Sequence, residues 1–254
     1  MATGQLRPMS VGEILDASLV LLRRHLGVFF GVAAVCQGVP QALSLYVQVS
    51  GGWSARPGLY ALAQALGFLG YLLVTGATIR IVSQAYLGYE PRLGDALGFA
   101  ARKFGRTFGA GLAAGILVAM ASLLLLIPGI VVACGLAVAV QAAVLEPLPA
   151  ASDGIGRSWA LTKGFKGKAL ALYAVTLVLF VCVGLGLVVA TVLAAWASPV
   201  FVRPVLVLWT LLSLFVYPFL SCVFTLFYYD LRVRKEAFDL ELLSRQLGME
   251  PIGA

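Results

Sequence analysis

The sequence has few charged residues and a single histidine. Only 11% of its 254 residues are charged and 61% are hydrophobic, whereas a typical soluble domain is about 25% charged. The mean hydropathy is +0.98. Such a composition leaves too little polar surface to cover a core in water, which argues against a soluble globular domain. We therefore predict an integral membrane protein.

Common catalytic and metal-binding motifs are also missing. His25, the one histidine, directly follows Arg23-Arg24 and is expected at the membrane surface. The sequence has no HExxH, no nucleophile elbow, no Gly-rich phosphate loop and no CxxC pair. Its four cysteines lie in apolar stretches, which favours small buried or lipid-facing side chains over metal or redox use. We predict no enzymatic activity and no cofactor.

Six apolar segments are long enough to cross a membrane, for which about 20 residues suffice. The run at 110–145 has 36 residues and is too long for one ordinary span. Pro128-Gly129 lies in its middle and favours a turn, so we divide this run into a helical hairpin. The predicted spans are 27–49, 58–83, 107–127, 130–146, 168–195 and 205–228.

The charged residues fall on one side of these spans. Arg56 and Arg203 are the only basic residues in the loops 50–57 and 198–203. The other sixteen basic residues lie near the N-terminus, at 80–106, at 157–168 or after residue 231. Basic residues of short loops stay in the cytoplasm. Both termini are therefore predicted to be cytoplasmic. The first segment has no small-residue cleavage site and is not expected to be a removable signal peptide.

Three of the cytoplasmic segments have a charged arc opposite an apolar arc. The segments 10–26, 91–106 and 150–166 are each predicted to form an amphipathic helix in the inner leaflet, before spans 1, 3 and 5. The first begins with a capping box, Ser10 and Glu13.

The basic arcs have two compatible interpretations. They serve as connectors that cover the cytoplasmic face of the bundle, or they bind anionic lipid head groups, each Lys or Arg contributing about 1 kcal/mol. The residues expected to face lipid are Arg23, Arg24, Arg102, Lys103, Arg106, Lys163 and Lys166. Nucleic acid is not an expected partner, because the basic residues follow the topology and form no separate domain.

Other charges near the membrane surface are expected to form a structural polar cluster. Charges at a bilayer interface are partly desolvated, so leaving them unpaired is costly. The expected members are Glu13, Asp16, Arg157, Asp230, Arg232 and Arg234, with Glu13 or Asp16 contacting one of the three arginines. The alternative is that each charge faces water or a lipid phosphate.

Ionisable residues are absent from the middle of the predicted spans. Proton relays and ion-coupled transporters use such groups, so secondary active transport is disfavoured. A continuous cavity lined by Gln37, Gln64 and Gln141 would favour transport, whereas a dry bundle would favour a scaffold. Small-residue stripes, which allow close helix contact, occur at Gly105, Gly109 and Ala113 and at Gly111 and Gly115.

Three stretches carry a family resemblance. They are Leu6-Arg7-Pro8 with Gly12-Glu13-Ile14-Leu15-Asp16, then Arg157-Ser158-Trp159-x-Leu161-x-x-Gly164, and finally Tyr228-Tyr229-Asp230-Leu231-Arg232-Val233-Arg234-Lys235. Together they resemble the membrane domain of some glycerophosphoryl diester phosphodiesterases, in its stand-alone bacterial form. The resemblance implies a multi-pass topology and a membrane role in the bacterial inner membrane. It implies no phosphodiesterase activity, because that chemistry belongs to a separate barrel domain.

We therefore expect one all-α membrane domain over 1–254, with a cytoplasmic tail at 229–254. The expected function is that of a non-catalytic scaffold or assembly subunit. Its expected partners are anionic phospholipids and either an integral membrane protein or a second copy of the chain. The alternatives are a lipid-handling or small-molecule transport component, and a membrane anchor for a separately encoded enzyme.

Overall fold

The computed structural model describes residues 8–86 and 88–236, apart from the side chain of Pro199. These residues form helices and connecting turns, with no strand among them. The α-helices in chain order are α1 (Val11–Arg24), α2 (Leu26–Val49), α3 (Gly52–Ala55), α4 (Pro57–Tyr86), α5 (Leu93–Leu124), α6 (Leu126–Gly135), α7 (Ala139–Leu145), α8 (Asp153–Thr162), α9 (Lys166–Ala197) and α10 (Val202–Glu236). A short 3-10 helix, Pro199–Phe201, precedes α10.

Among the described residues, six helical segments are long and apolar enough to cross a membrane, in agreement with the number predicted. They are α2, α4, α5, the segment Leu126–Leu145 that comprises α6 and α7, α9 and α10. The last helix continues to Glu236, so the first eight residues of the predicted tail at 229–254 are helical. The rest of that tail lies outside the described residues.

Helix α5 is one uninterrupted helix of 32 residues. The sequence predicts an amphipathic helix at 91–106 and a separate span at 107–127, but the expected break between them is absent. No proline occurs within α5, so nothing removes a backbone N–H or blocks a carbonyl in its interior. At about 1.5 Å per residue the helix is about 48 Å long, which exceeds a hydrocarbon layer of about 30 Å.

The turn between α5 and α6 lies at Leu125, three residues before the predicted turn at Pro128-Gly129. Leu125 has an extended backbone (φ −160°, ψ 148°), and Pro128 is the third residue of α6. Proline is tolerated there because the N–H groups of a first helical turn have no intrahelical acceptor. Gly129 allows a close approach to α5, since a Cβ there would lie 2.8 Å from Cα of Ser122. The dipeptide therefore begins a helix.

The fourth apolar segment is broken at 136–138, between α6 and α7. Ser158 of α8 donates a hydrogen bond to the Gly135 carbonyl (2.9 Å) and accepts one from the Val138 N–H (3.3 Å). The Thr162 hydroxyl also donates to the Gly135 carbonyl, at 3.0 Å. Where water is excluded, backbone groups freed by a helix break must be bonded by neighbouring side chains. Helix α8 meets this need and is thereby held against the break.

Helices α1 and α8 correspond to the first and third predicted amphipathic helices, and each contributes a face to the core. Ile14, Ser18 and Leu22 of α1 are buried, and α1 contacts α10. In α8, Leu161 is buried in the main hydrophobic cluster. The capping box that starts α1 is present, with the Glu13 carboxylate accepting from the Ser10 N–H at 2.7 Å.

Candidate functional site

Two polar features lie at opposite ends of the bundle. One is a network of charged residues around the end of α10, which we call the polar network. The other is a cavity between α2, α4, α9 and α10, near the loops 50–57 and 198–203.

Asp230 is the central acid of the polar network. It is only 1% exposed, and Lys168 Nζ lies 2.5 Å from its Oδ2. Arg234 Nε lies 3.1 Å from its Oδ1, which also accepts a 2.7 Å hydrogen bond from the Met9 N–H. Lys168 and Arg234 both donate to the Met9 carbonyl as well. These contacts fasten the segment before α1 to the start of α9 and the end of α10.

A second part of the polar network surrounds Glu146, which caps the end of α7. Glu146 accepts hydrogen bonds from Tyr228 (2.8 Å) and from Arg157 Nε (2.6 Å). Arg157 also pairs with Glu236, which Arg232 contacts at 2.9 Å. Burial disfavours the charge of Arg157, but the hydrogen bonds that it donates to the carboxylates of Glu146 and Glu236 raise the pKa of its guanidinium above its usual value. Arg157 therefore joins α7, α8 and α10.

Residues 228–235, the last of the three stretches that carry the predicted family resemblance, form contacts that hold the helices together. Tyr229 shares a 2.7 Å hydrogen bond with Ser83 of α4. Lys235 donates to the Ala160 carbonyl of α8 at 2.5 Å. Together with the contacts of Tyr228 and Asp230, these bonds connect the last turns of α10 to α4, α7, α8 and α9.

The structure brings four of the six predicted cluster members into this network: Arg157, Asp230, Arg232 and Arg234. Asp16 is exposed and forms no ion pair within residues 8–86 and 88–236. Glu13 caps α1 and lies close enough to Lys168 to interact with it electrostatically. An arginine contact of Glu13 stays a prediction.

Sequence reasoning missed three members of the polar network, Glu146, Lys168 and Glu236. Glu146 and Lys168 each stand alone at the edge of a long apolar run. An isolated charge at such a position is costly unless it is paired. The place of Glu146 and Lys168 beside long apolar runs therefore marks both residues in the sequence as candidates for ion pairs.

The basic residues expected to face lipid differ in their surroundings. Arg23, Arg24, Arg102 and Lys163 are exposed, and Lys103 is half-exposed. Lys166 lies over the Trp159 ring, 3.6 Å from its centroid.

Arg106 departs from that expectation. Its guanidinium donates to the carbonyls of Ala143 (3.5 Å), Glu146 (3.3 Å) and Leu148 (3.0 Å). The last carbonyls of a helix lack intrahelical partners, and a cation is favourable at that end. Arg106 therefore caps α7 from within the bundle.

The cavity at the other end has a volume of about 850 Å³. No charged residue lines it in the part of the chain that the structure describes. Its polar lining consists of hydroxyl, indole and amide groups, including four glutamines: Gln37, Gln41, Gln48 and Gln64. Gln141, the third glutamine of the predicted cavity, is instead buried in α7, outside it.

Three of these glutamines use one end of the amide inside the protein. The Nε2 groups of Gln37, Gln48 and Gln64 donate to the Gly67 carbonyl (3.1 Å), the Ser44 carbonyl (3.3 Å) and the Tyr60 hydroxyl (2.8 Å). Their Oε1 atoms accept no hydrogen bond from another described residue. Each glutamine therefore has an acceptor available to a ligand.

A second, apolar space of about 520 Å³ lies between α9 and α10, and we call it the groove. Cavity and groove share five lining residues: Gln48, Phe180, Thr191, Leu206 and Trp209. Leu185 and Val188, which also line the groove, are 60% and 59% exposed. The cavity thus adjoins an apolar opening on the side of the bundle.

Comparisons of the chain with family models, curated proteins and solved structures find no match. Within residues 8–86 and 88–236 the fold is helical, with six candidate membrane spans. The resemblance to the membrane domain of glycerophosphoryl diester phosphodiesterases stays a prediction. No group of three or more His, Cys, Asp or Glu side chains within the described ranges could hold a metal ion.

Proposed function

We propose that this chain is a non-catalytic, multi-pass membrane protein that binds a lipid-like small molecule. The observation that carries the proposal is the uncharged cavity of about 850 Å³ with its apolar side opening. Its volume falls within the range of about 300–1,000 Å³ that is usual for small-molecule sites. A dry, close-packed bundle would instead have favoured the scaffold function that the sequence alone indicated.

The proposed setting is the inner membrane of a bacterium, with both termini in the cytoplasm. The polar network then lies at the cytoplasmic side and the cavity in the outer half of the bilayer. This arrangement follows the distribution of basic residues, since Arg56 and Arg203 alone lie in the predicted outer loops.

The test is native mass spectrometry of the protein purified in mild detergent. Ser213→Phe places a ring in the cavity, which Ser213 lines, whereas Leu211→Phe makes a similar change at an exposed position of α10 outside it. We expect one bound molecule per chain in the parent protein and in Leu211→Phe, and its loss from Ser213→Phe. If the parent protein carries no bound molecule and binds none when lipid is added back, the proposal is overturned and a scaffold or anchor is favoured.

A further part of the proposal is contact with anionic phospholipids at the opposite end. Arg23, Arg24 and Arg102 are exposed there, and each basic group near an anionic surface contributes about 1 kcal/mol. Changing these three to Gln should reduce the anionic lipid that co-purifies, whereas Arg56→Gln with Arg203→Gln should not. Arg106 is left unchanged because it caps α7. Equal lipid content in both variants would leave these helices as connectors only.

A further inference from the structure

We infer that the ligand of the cavity is an amphiphile with an uncharged, hydroxyl-bearing head group, whose apolar chain lies in the groove between α9 and α10. This inference rests on the proposed function and specifies the ligand class. It concerns three properties of the site: charge, hydrogen-bonding groups and shape.

The charge of the lining argues against an ionic head group. Among the described residues, the cavity has no Asp, Glu, Lys, Arg or His side chain to pair with a ligand charge. Two basic residues lie in the nearby loops. Arg56 is bound to Tyr46 by a 2.8 Å hydrogen bond and a cation–π contact, and Arg203 is exposed and does not line the cavity. Placing an unpaired charge in such a site costs several kcal/mol. An uncharged head group avoids that cost.

The available hydrogen-bonding groups favour a ligand that donates. The Oε1 atoms of Gln37, Gln48 and Gln64 lack partners within residues 8–86 and 88–236. A hydroxyl group can donate to such an amide oxygen and accept from a neighbouring hydroxyl or indole N–H. Gln37 is only 2% exposed, so its free acceptor gains more from a ligand hydroxyl than an exposed one would.

The shape of the site suits a molecule with one polar and one apolar part. The groove is lined by apolar residues such as Val181, Leu185 and Val188, and the polar residues it contains, Gln48 and Thr191, are shared with the cavity. Trp209 also lines both spaces. Its ring is apolar with a single N–H donor, which suits a boundary between polar and apolar groups. A chain leaving the cavity through the groove would continue into surrounding lipid.

The experiment compares three probes with matched acyl chains on the purified, delipidated full chain: a monoacylglycerol, a lysophosphatidylglycerol and a lysophosphatidylcholine. Binding constants come from native mass spectrometry. We expect the uncharged monoacylglycerol to bind at least about tenfold more tightly than either the anionic or the zwitterionic probe, because both carry a phosphate charge that no cavity residue pairs. Tighter binding of the anionic or the zwitterionic probe would overturn the inference and leave the proposed function standing. No binding of any probe would overturn both.

Two variants test the assigned contacts. Gln37→Leu with Gln64→Leu should weaken monoacylglycerol binding about tenfold, because two hydrogen bonds are lost, whereas Gln141→Leu, outside the cavity, should not. Gln64→Lys should increase affinity for the anionic probe, because it adds a positive charge to the cavity lining. Since Gln64 is exposed, the variant is expected to fold. Val188→Trp should abolish the gain in affinity with acyl-chain length. Unchanged probe preferences in Gln64→Lys, or unchanged chain-length dependence in Val188→Trp, would contradict the assigned site.

Discussion

Asp230 lies at the point where α10, α9 and the segment before α1 meet. Asp230 is only 1% exposed, and its carboxylate accepts hydrogen bonds from Lys168, Arg234 and the Met9 N–H. Removing one charge from a buried group of this kind leaves its partners without compensation. Asp230→Asn should therefore destabilise the protein by on the order of 3 kcal/mol, seen as a lower melting temperature in detergent.

The matched control for that change is Asp16→Asn. Asp16 is exposed and has no ion pair in the described part of the chain, so its removal should leave the melting temperature unchanged. Equal melting temperatures for the two variants would mean that the polar network adds nothing to stability.

At the residue scale, the sequence predicted four charged members of the polar network and missed three. The concentration of charges near Arg157 and Asp230 predicted a cluster, because interfacial charges need partners. The identity of those partners depends on which helices are neighbours. Lys168 meets Asp230 across 62 positions in the sequence, and no local pattern specifies that pairing. Arg106 was placed toward lipid for the same reason, since the end of α7 that it caps is known only from the fold.

At the scale of helices, the close contact between α2 and α4 occurs at a glycine that no predicted stripe contains. A Cβ at Gly70 would overlap the carbonyl oxygen of Cys36 and lie 3.2 Å from its carbonyl carbon. Because backbone cannot rotate away as a side chain does, Gly70→Ala should push the helices apart. We expect a loss of about 1–3 kcal/mol, measured as thermal stability in detergent.

Gly105 provides the comparison for Gly70. It belongs to the predicted stripe on α5, yet a Cβ there would meet nothing within 4 Å. Gly105→Ala should be neutral or slightly stabilising, because alanine favours a helix by up to about 1 kcal/mol over glycine. A Gly105→Ala variant less stable than Gly70→Ala would show that α5 uses its small residues after all.

Helix number and helix boundaries differ in how far the sequence specifies them. Long apolar runs establish the six candidate spans because each must match a fixed bilayer thickness. The boundary within α5 was wrong because a change from mixed to apolar composition does not interrupt hydrogen bonding along a helix. The turn was predicted three residues too late because proline is common both in loops and in the first turn of a helix, and the sequence alone does not distinguish the two.

For the whole molecule, the separation of charged network and uncharged cavity could not be read from local patterns. The sequence predicted glutamines inside the spans, and two of the three singled out, Gln37 and Gln64, do line the cavity. The space itself exists because α9 and α10 leave room between them opposite α2 and α4. This gap between α9 and α10 depends on how the helices pack. The sequence does not specify it, because an apolar stretch such as 177–193 is compatible with lipid contact or with a tight helix interface.

Orientation in the membrane is the property on which the remaining assignments depend, and it leads to the last prediction. Arg56 and Arg203 lie in the short loops at the cavity end, whereas Arg102 and Lys163 lie at the other end, and all four are exposed. If basic residues stay in the cytoplasm, cysteines replacing Arg56 or Arg203 should react with an impermeant thiol reagent in sealed cells. Cysteines replacing Arg102 or Lys163 should react only after permeabilisation. The parent chain, whose own cysteines include the exposed Cys182, supplies the background signal. Labelling of Arg102→Cys in sealed cells would mean that the orientation is the opposite of the one proposed, with the cavity in the cytoplasmic half of the bilayer.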